Sequence, residues 1–161
     1  MRVKARRVSP LSAVLCMVRK MANKDELVQA CKNVFKLWRE QKLDEAYEGF
    51  REIFSKPDFA EHRPEDQRSA LRLMVLAKGA PQPDRATEAM KAAHLAAVPA
   101  LSNLVSDLGE PSDHEMLGIC HVILGNENTA SSIFRAGLAI ERSRNPQSDL
   151  CGAFMKRISF L

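Results

Sequence analysis

Apolar side chains recur at helical spacing along most of this chain, in segments separated by short breaks rich in proline and glycine. In residues 24–41, Leu27, Cys31, Val34 and Trp38 repeat at intervals that place them on one face of a helix. Glycine accounts for 7 of 161 residues, and tyrosine and tryptophan occur once each. Short strands need more turn residues and more β-branched and aromatic residues than this. The sequence therefore predicts an all-α fold.

The breaks divide the chain into helices of ordinary length. Asp44 is expected to cap the second helix, which ends at Pro57. Asp84 is expected to cap an alanine-rich helix after a linker at 79–83, and Pro99 is expected to kink or end that helix. Further helical segments are predicted at 65–78, 100–108, 113–124, 128–143 and 147–159.

The N-terminal segment, residues 1–21, differs from the rest in charge. It holds Arg2, Lys4, Arg6, Arg7, Arg19 and Lys20, and none of the chain's 20 acidic residues. We treat it as a basic extension, for which several interpretations are open. It is disordered, or it forms a loosely docked helix that begins at Ser9-Pro10. Otherwise it is a targeting segment, or it precedes a natural start at Met17 or Met21. The domain proper is then 22–161, and it carries no basic excess. Nucleic-acid binding is therefore not expected.

Four cysteines, at positions 16, 31, 120 and 151, are widely separated and form no CxxC motif. A chain of this size buries enough surface to fold without disulfides, so we expect free thiols and a cytoplasmic location. No uncharged apolar run reaches the length of about 18 residues that suggests a membrane span.

Two segments of the chain share one pattern. The first runs from Val34 and Leu37 to Ala46, Phe50 and Ile53, and the second contains Leu117, Gly118, His121, Gly125, Ala130 and Phe134. In both, a small alanine is followed one helical turn later by an aromatic residue. Two helices approach closely only where one side chain is small, and the aromatic ring then fills the space beside it.

At these residues the chain resembles the tetratricopeptide repeat (TPR) family. The resemblance covers about residues 27–143 and implies an α-solenoid of about three antiparallel helical hairpins with a C-terminal capping helix. The middle hairpin fits least well, with Ala86 as the equivalent of the two alanines. An unrelated helical bundle is the alternative.

The resemblance also implies which residues face a partner, because the first helix of each hairpin lines a concave surface in that family. Most of the implied positions are apolar, so they suit a hydrophobic or amphipathic segment of another protein. The same residues would serve as core if the array is too short to form a groove. The partner-binding candidates are Val28, Phe35, Trp38, Arg39, Leu71, Val75, Ile119 and Val122.

We find no catalytic, cofactor-binding or metal-binding set in the sequence. The phosphate-binding and nucleophile motifs GxGxxG, GxxxxGK[ST], GxSxG and HExxH do not occur. His114 and His121 lie two helical turns apart, about 10.5 Å along a helix, which is too far for one zinc ion without other ligands. Glu110, Asp113 and Glu115 near a helix start favour the helix dipole.

These observations predict a non-catalytic protein–protein interaction module, an adaptor or scaffold, and not an enzyme. The alternatives are a small secretion-type chaperone with a TPR-like fold and a small helical cofactor- or metal-binding enzyme. The expected partner is another protein or peptide segment, and a homodimer through an uncapped end remains open.

Overall fold

The structure is a computed structural model that describes the backbone of residues 10–77 and 85–161, and side chains from Lys24 onward. Within these ranges the chain forms helices and turns and no strand, so the all-α prediction is confirmed. A 3₁₀ turn at Pro57–Glu61 follows the second helix. The α-helices are α1 (Pro10–Arg39), α2 (Leu43–Ser55), α3 (Pro64–Val75), α4 (Glu88–Leu108), α5 (Pro111–Ile123), α6 (Glu127–Arg144) and α7 (Asp149–Ser159).

Several predicted boundaries differ from the observed ones. Helix α1 runs from Pro10 through the expected domain boundary at 21/22, so the two predicted N-terminal helices are one. Pro99 was predicted to kink or end its helix, and α4 does not end there but continues to Leu108. Pro99 lies on the exposed side of α4, where water can satisfy the carbonyl that loses its helical donor. The predicted caps at Ser9 and Asp84 and the linker at 79–83 lie outside the described residues.

The start of α4 is linked to α2 through a side-chain hydrogen bond. Thr87 caps α4 by accepting a hydrogen bond from the Met90 N–H at 3.2 Å. The Thr87 hydroxyl in turn donates to the Asp44 carboxylate at 2.8 Å. Asp44 was predicted to cap α2, but it lies inside the first turn of that helix, where its charge suits the helix dipole.

The α1–α2 and α5–α6 connections have the same backbone geometry. Gln41 adopts a left-handed conformation (φ 63°), and the N–H of Lys42 reaches back to the Leu37 carbonyl at 3.0 Å. Gly125 occupies the equivalent position with φ 79°, and the next N–H bonds the His121 carbonyl at 2.8 Å. A six-to-one bond after a left-handed residue is the Schellman end of a helix. Helices α1 and α5 therefore end in the same kind of turn.

Both hairpins bury the alanine and the aromatic ring that the sequence pattern singles out. Ala46 and Ala130 are 0% exposed, and Phe50 and Phe134 are buried beside them. Two glycines show that the helices in each pair lie close together. A Cβ atom added to Gly49 would lie 2.6 Å from a methyl carbon of Val34, and a Cβ atom added to Gly118 would overlap the Phe134 ring. Helix packing in these two hairpins therefore depends on small residues, as predicted.

The order of packing departs from a regular array at α3. Contacts run from α1 to α2, α2 to α4, α4 to α5, α5 to α6 and α6 to α7, while α3 lies against α1, α4 and α5. Helix α4 buries three alanines, Ala93, Ala97 and Ala100, and small side chains of this kind let neighbouring helices approach closely. Helices α3 and α4, predicted as the middle hairpin, touch only slightly, and α2 takes the place of α3 beside α4.

The core has two parts. The larger cluster joins α1 to α5, and Leu71 and Met74 of α3 are fully buried in it. The smaller cluster joins α6 and α7 through Phe134 and Phe154. Ile119 of α5 packs against both clusters and so connects them.

The cysteines with described side chains are unpaired and buried: Cys31, Cys120 and Cys151. Burial raises the pKa of the Cys31 thiol to about 11 and that of Cys120 to about 12. Both thiols are therefore protonated and unreactive at neutral pH. No helix in the described part of the chain is both long and apolar enough to cross a bilayer.

The close contact at Gly118 yields a test with an internal control. Gly118→Ala should destabilise the protein by about 1–3 kcal/mol, because the new methyl group overlaps the Phe134 ring. Gly152→Ala, in α7 with nothing within 4 Å of the added carbon, should instead stabilise it by about 0.5–1 kcal/mol through helix propensity. Urea denaturation followed by circular dichroism measures both changes. A stabilised Gly118→Ala variant would contradict the tight α5–α6 contact.

Candidate interaction surface

A shallow groove of about 550 Å³ lies between α1 and α3. Its floor and walls are partly apolar, with Cys31 and Phe35 on α1 and Leu73 on α3. Its rim is charged and belongs to α1. The residues that line it are Cys31, Lys32, Phe35, Lys36, Arg39, Glu40 and Leu73.

The apolar part of the groove arises because each helix carries one large residue outside its buried face. Helix α1 buries Leu27, Cys31 and Val34, and Phe35 falls about 100° around the helix from Val34. Phe35 is consequently 45% exposed. Helix α3 buries Leu71 and Met74, and Leu73 between them is 38% exposed. The groove therefore holds two large apolar side chains that the fold itself does not bury.

Three of the eight partner-binding candidates lie on this surface. Phe35 and Arg39 line the groove. Val28 is exposed and lies two turns before Phe35 on the same face of α1. This stripe extends the groove toward the N-terminal half of the helix.

Trp38, a fourth candidate, is mainly a packing residue. Its ring lies edge-on to Tyr47 at 5.3 Å and to Phe50 at 6.4 Å between ring centroids. It is half-buried against the larger core cluster. Trp38 therefore fixes α1 on α2 and does not line the groove.

The remaining candidates do not join the groove. Leu71 and Val75 were predicted to face a partner, but both are buried in the larger core cluster because α3 turns this face toward α1, α4 and α5. Ile119 and Val122 are half-buried against the α6–α7 cluster. The eight positions therefore do not form the continuous concave surface that the resemblance implies.

A buried ion pair holds α3 to α5. The Asp113 carboxylate is 0% exposed, and the Arg68 side chain is 17% exposed. Arg68 Nε donates to Asp113 Oδ1 at 2.8 Å, and its Nη2 donates to Oδ2 at 2.7 Å. Such a two-point contact fixes both the distance and the orientation of the two helices. The aspartate raises the pKa of the Arg68 guanidinium, so Arg68 stays charged.

Two further arginines reach the first turns of α5 from other helices. Arg157 of α7 donates to Glu115 at 2.9 Å, and Arg144 of α6 donates to Glu110 at 2.9 Å. Sequence analysis assigned these acids to the helix dipole, and it did not anticipate their arginine partners. The partners lie in other helices, and the sequence contains no signal for pairings between distant segments. Arg68 and Glu115 are thus engaged within the fold and are not offered to a partner.

The histidines near these pairs have structural contacts. His94 is buried, its Nδ1 lies 2.8 Å from the Met90 carbonyl, and burial lowers the pKa of its ring. His114 Nδ1 lies 2.9 Å from the Glu110 carbonyl. Among the side chains of residues 24–77 and 85–161, no group of three or more His, Cys, Asp or Glu is arranged to hold a metal ion.

Comparisons of the chain with protein-family models, with curated proteins and with solved structures found no match.

The contrast between Trp38 and Phe35 is testable by stability measurements. Trp38→Ala should destabilise the protein by about 2 kcal/mol or more, because it leaves a cavity beside Tyr47 and Phe50. Phe35→Ala, at a largely exposed position, should change stability by less than about 0.5 kcal/mol. Chemical denaturation measures both. If both variants lose the same free energy of unfolding, Phe35 belongs to the core and not to the candidate surface.

The Arg68–Asp113 pair predicts a large cost when one partner is removed. Arg68→Ala should destabilise the protein by about 3 kcal/mol or more, because the buried Asp113 carboxyl would lose its ion-pair partner. Replacing both residues, as Arg68→Met with Asp113→Leu, should recover most of that loss. Arg51→Ala, which breaks the exposed pair with Glu48, serves as the control and should cost less than about 1 kcal/mol. Similar losses for Arg68→Ala and Arg51→Ala would argue against a buried pair.

Proposed function

We propose that this chain is a non-catalytic helical interaction module that binds an apolar or amphipathic segment of another protein in the α1–α3 groove. The observation that carries the proposal is the pairing of Phe35 and Leu73, two half-exposed large apolar side chains that face one groove from different helices. Exposing both in a single concavity costs hydrophobic free energy that a partner side chain placed between them would recover.

The size and composition of the groove favour a side chain or two from a peptide. A volume of about 550 Å³ falls in the usual range for binding sites of proteins. The walls come from two helices, so an inserted residue would lose contact with water on more than one side. Central, desolvated anchors of this kind carry most of the binding energy in protein interfaces.

The TPR-like relationship is part of the same proposal. Two features support it: the shared Schellman turns after Leu37 and His121, and the buried alanine–aromatic pairs in both hairpins. Helix α3 departs from the family pattern, because it does not stack between α2 and α4. In the proposed module, Leu73 of α3 closes one side of the groove and α1 supplies the other.

The proposal is tested by photo-crosslinking from inside the groove. A benzophenone amino acid replaces Phe35 in the full-length protein, and the matched control carries it at Leu95, which is 60% exposed on α4. We expect the Phe35 probe to crosslink a defined apolar or amphipathic segment that the Leu95 probe does not. Leu73→Ser in the same chain should reduce that crosslink about tenfold or more, because it removes the opposite wall.

Two outcomes would contradict the proposal. The same proteins crosslinked with equal yield from both positions would mean that the groove has no selectivity. Crosslinks from Phe35 only to a second copy of the chain would replace the partner protein by a homodimer, which light scattering at several concentrations would check.

A further inference from the structure

Building on the proposed function, we propose that the segment bound in the α1–α3 groove is an acidic amphipathic helix, with carboxylates along one edge of its apolar stripe. The groove is not electrically neutral. Three of its lining residues, Lys32, Lys36 and Arg39, are basic, and only Glu40 is acidic. The Lys36 side chain is 78% exposed, so its charge is presented to solvent and not withdrawn into the fold.

Glu40 does not balance these cations, because another residue already pairs with it. Lys42 Nζ lies 3.3 Å from one Glu40 carboxylate oxygen, while Lys36 Nζ lies 4.0 Å from the other. Glu40 carries one negative charge and shares it between Lys36 and Lys42, so the three basic lining residues remain in excess. A bound segment with acidic side chains would meet opposite charge.

The positions of the charged groove residues indicate how a bound helix would be arranged. Lys32, Phe35 and Arg39 fall on one face of α1, about 10.5 Å from first to last along the helix axis. The single lining residue on α3 is Leu73. The α1 side of the groove therefore carries both the basic residues and Phe35, and the α3 side is apolar. A helix whose apolar residues point toward Phe35 and Leu73 would place the side chains along one of its edges against the basic residues of α1.

Other occupants fit this charge less well. The chain's own residues 1–9 contain Arg2, Lys4, Arg6 and Arg7 and no acid, so they would add positive charge to a basic rim. An anionic membrane surface would satisfy the charge. However, Phe35 and Leu73 line the groove itself, and a flat lipid interface would not fill a concavity between two helices as a side chain does.

The inference is tested with two synthetic helical peptides that share one leucine stripe. One peptide carries glutamates along an edge of the stripe, and the other carries glutamines there, which have similar helix propensity. Fluorescence anisotropy with the full-length protein should show the glutamate peptide binding at least tenfold more tightly at about 0.1 M salt. The difference should shrink to about twofold at about 1 M salt, where the Debye length is about 3 Å.

A matched pair of triple variants locates the effect. Lys32→Gln with Lys36→Gln and Arg39→Gln should abolish the preference for glutamate. Lys91→Gln with Arg135→Gln and Lys156→Gln removes the same charge from α4, α6 and α7 and should leave the preference unchanged. Phe35→Ser should weaken binding of both peptides, because both use the apolar groove.

The outcomes separate this inference from the proposed function. If both peptides bind with equal affinity and both depend on Phe35, the acidic preference is overturned while the interaction module stands. If neither peptide binds, or binding is insensitive to Phe35→Ser, both proposals are overturned. If the protein binds phosphatidylserine vesicles through Lys32, Lys36 and Arg39 and the glutamate peptide does not compete, the occupant is a membrane and the inference is overturned.

Discussion

The Asp113 carboxylate has no access to solvent, and its ion pair with Arg68 joins α3 to α5. A buried charge is tolerated only with a partner of good geometry, and Arg68 is that partner. Because the contact has two hydrogen bonds, it fixes the orientation of α3 against α5 as well as its distance. The same helix lies against α1, where Leu73 lines one groove together with Phe35. The ion pair and the burial of Leu71 and Met74 in the larger core cluster together hold α3 in this position.

Much of the α1–α2 and α5–α6 hairpins is predictable from sequence because their determinants are local. Ala46 and Phe50 are one turn apart, and so are Ala130 and Phe134, and each pair packs against the helix joined to it by a short turn. The turns are local too, since a left-handed residue and one backbone hydrogen bond close each of them. Gly125 signals its turn in the sequence, whereas Gln41 adopts the same conformation without the usual residue type.

The position of α3 could not be predicted, because its main contacts join distant parts of the chain. Arg68 and Asp113 are 45 residues apart, and the sequence around either residue contains no signal that identifies its partner. Apolar periodicity identified α3 as a helix, yet Leu71 and Leu73 read as equally apolar, and only packing decides which one is buried. The same limit applies to Trp38, which the resemblance placed in the groove and which instead packs on Tyr47.

The arginines that pair with acids near the start of α5 are different residues from the cations that line the groove. Arg68, Arg144 and Arg157 pair with acids near the start of α5 and so connect helices within the protein. A planar guanidinium suits this task because it makes paired, directional hydrogen bonds. The cations that line the groove are instead Lys32, Lys36 and Arg39, and Lys36 is 78% exposed. Substitution of these three residues therefore leaves the ion pairs at the start of α5 in place.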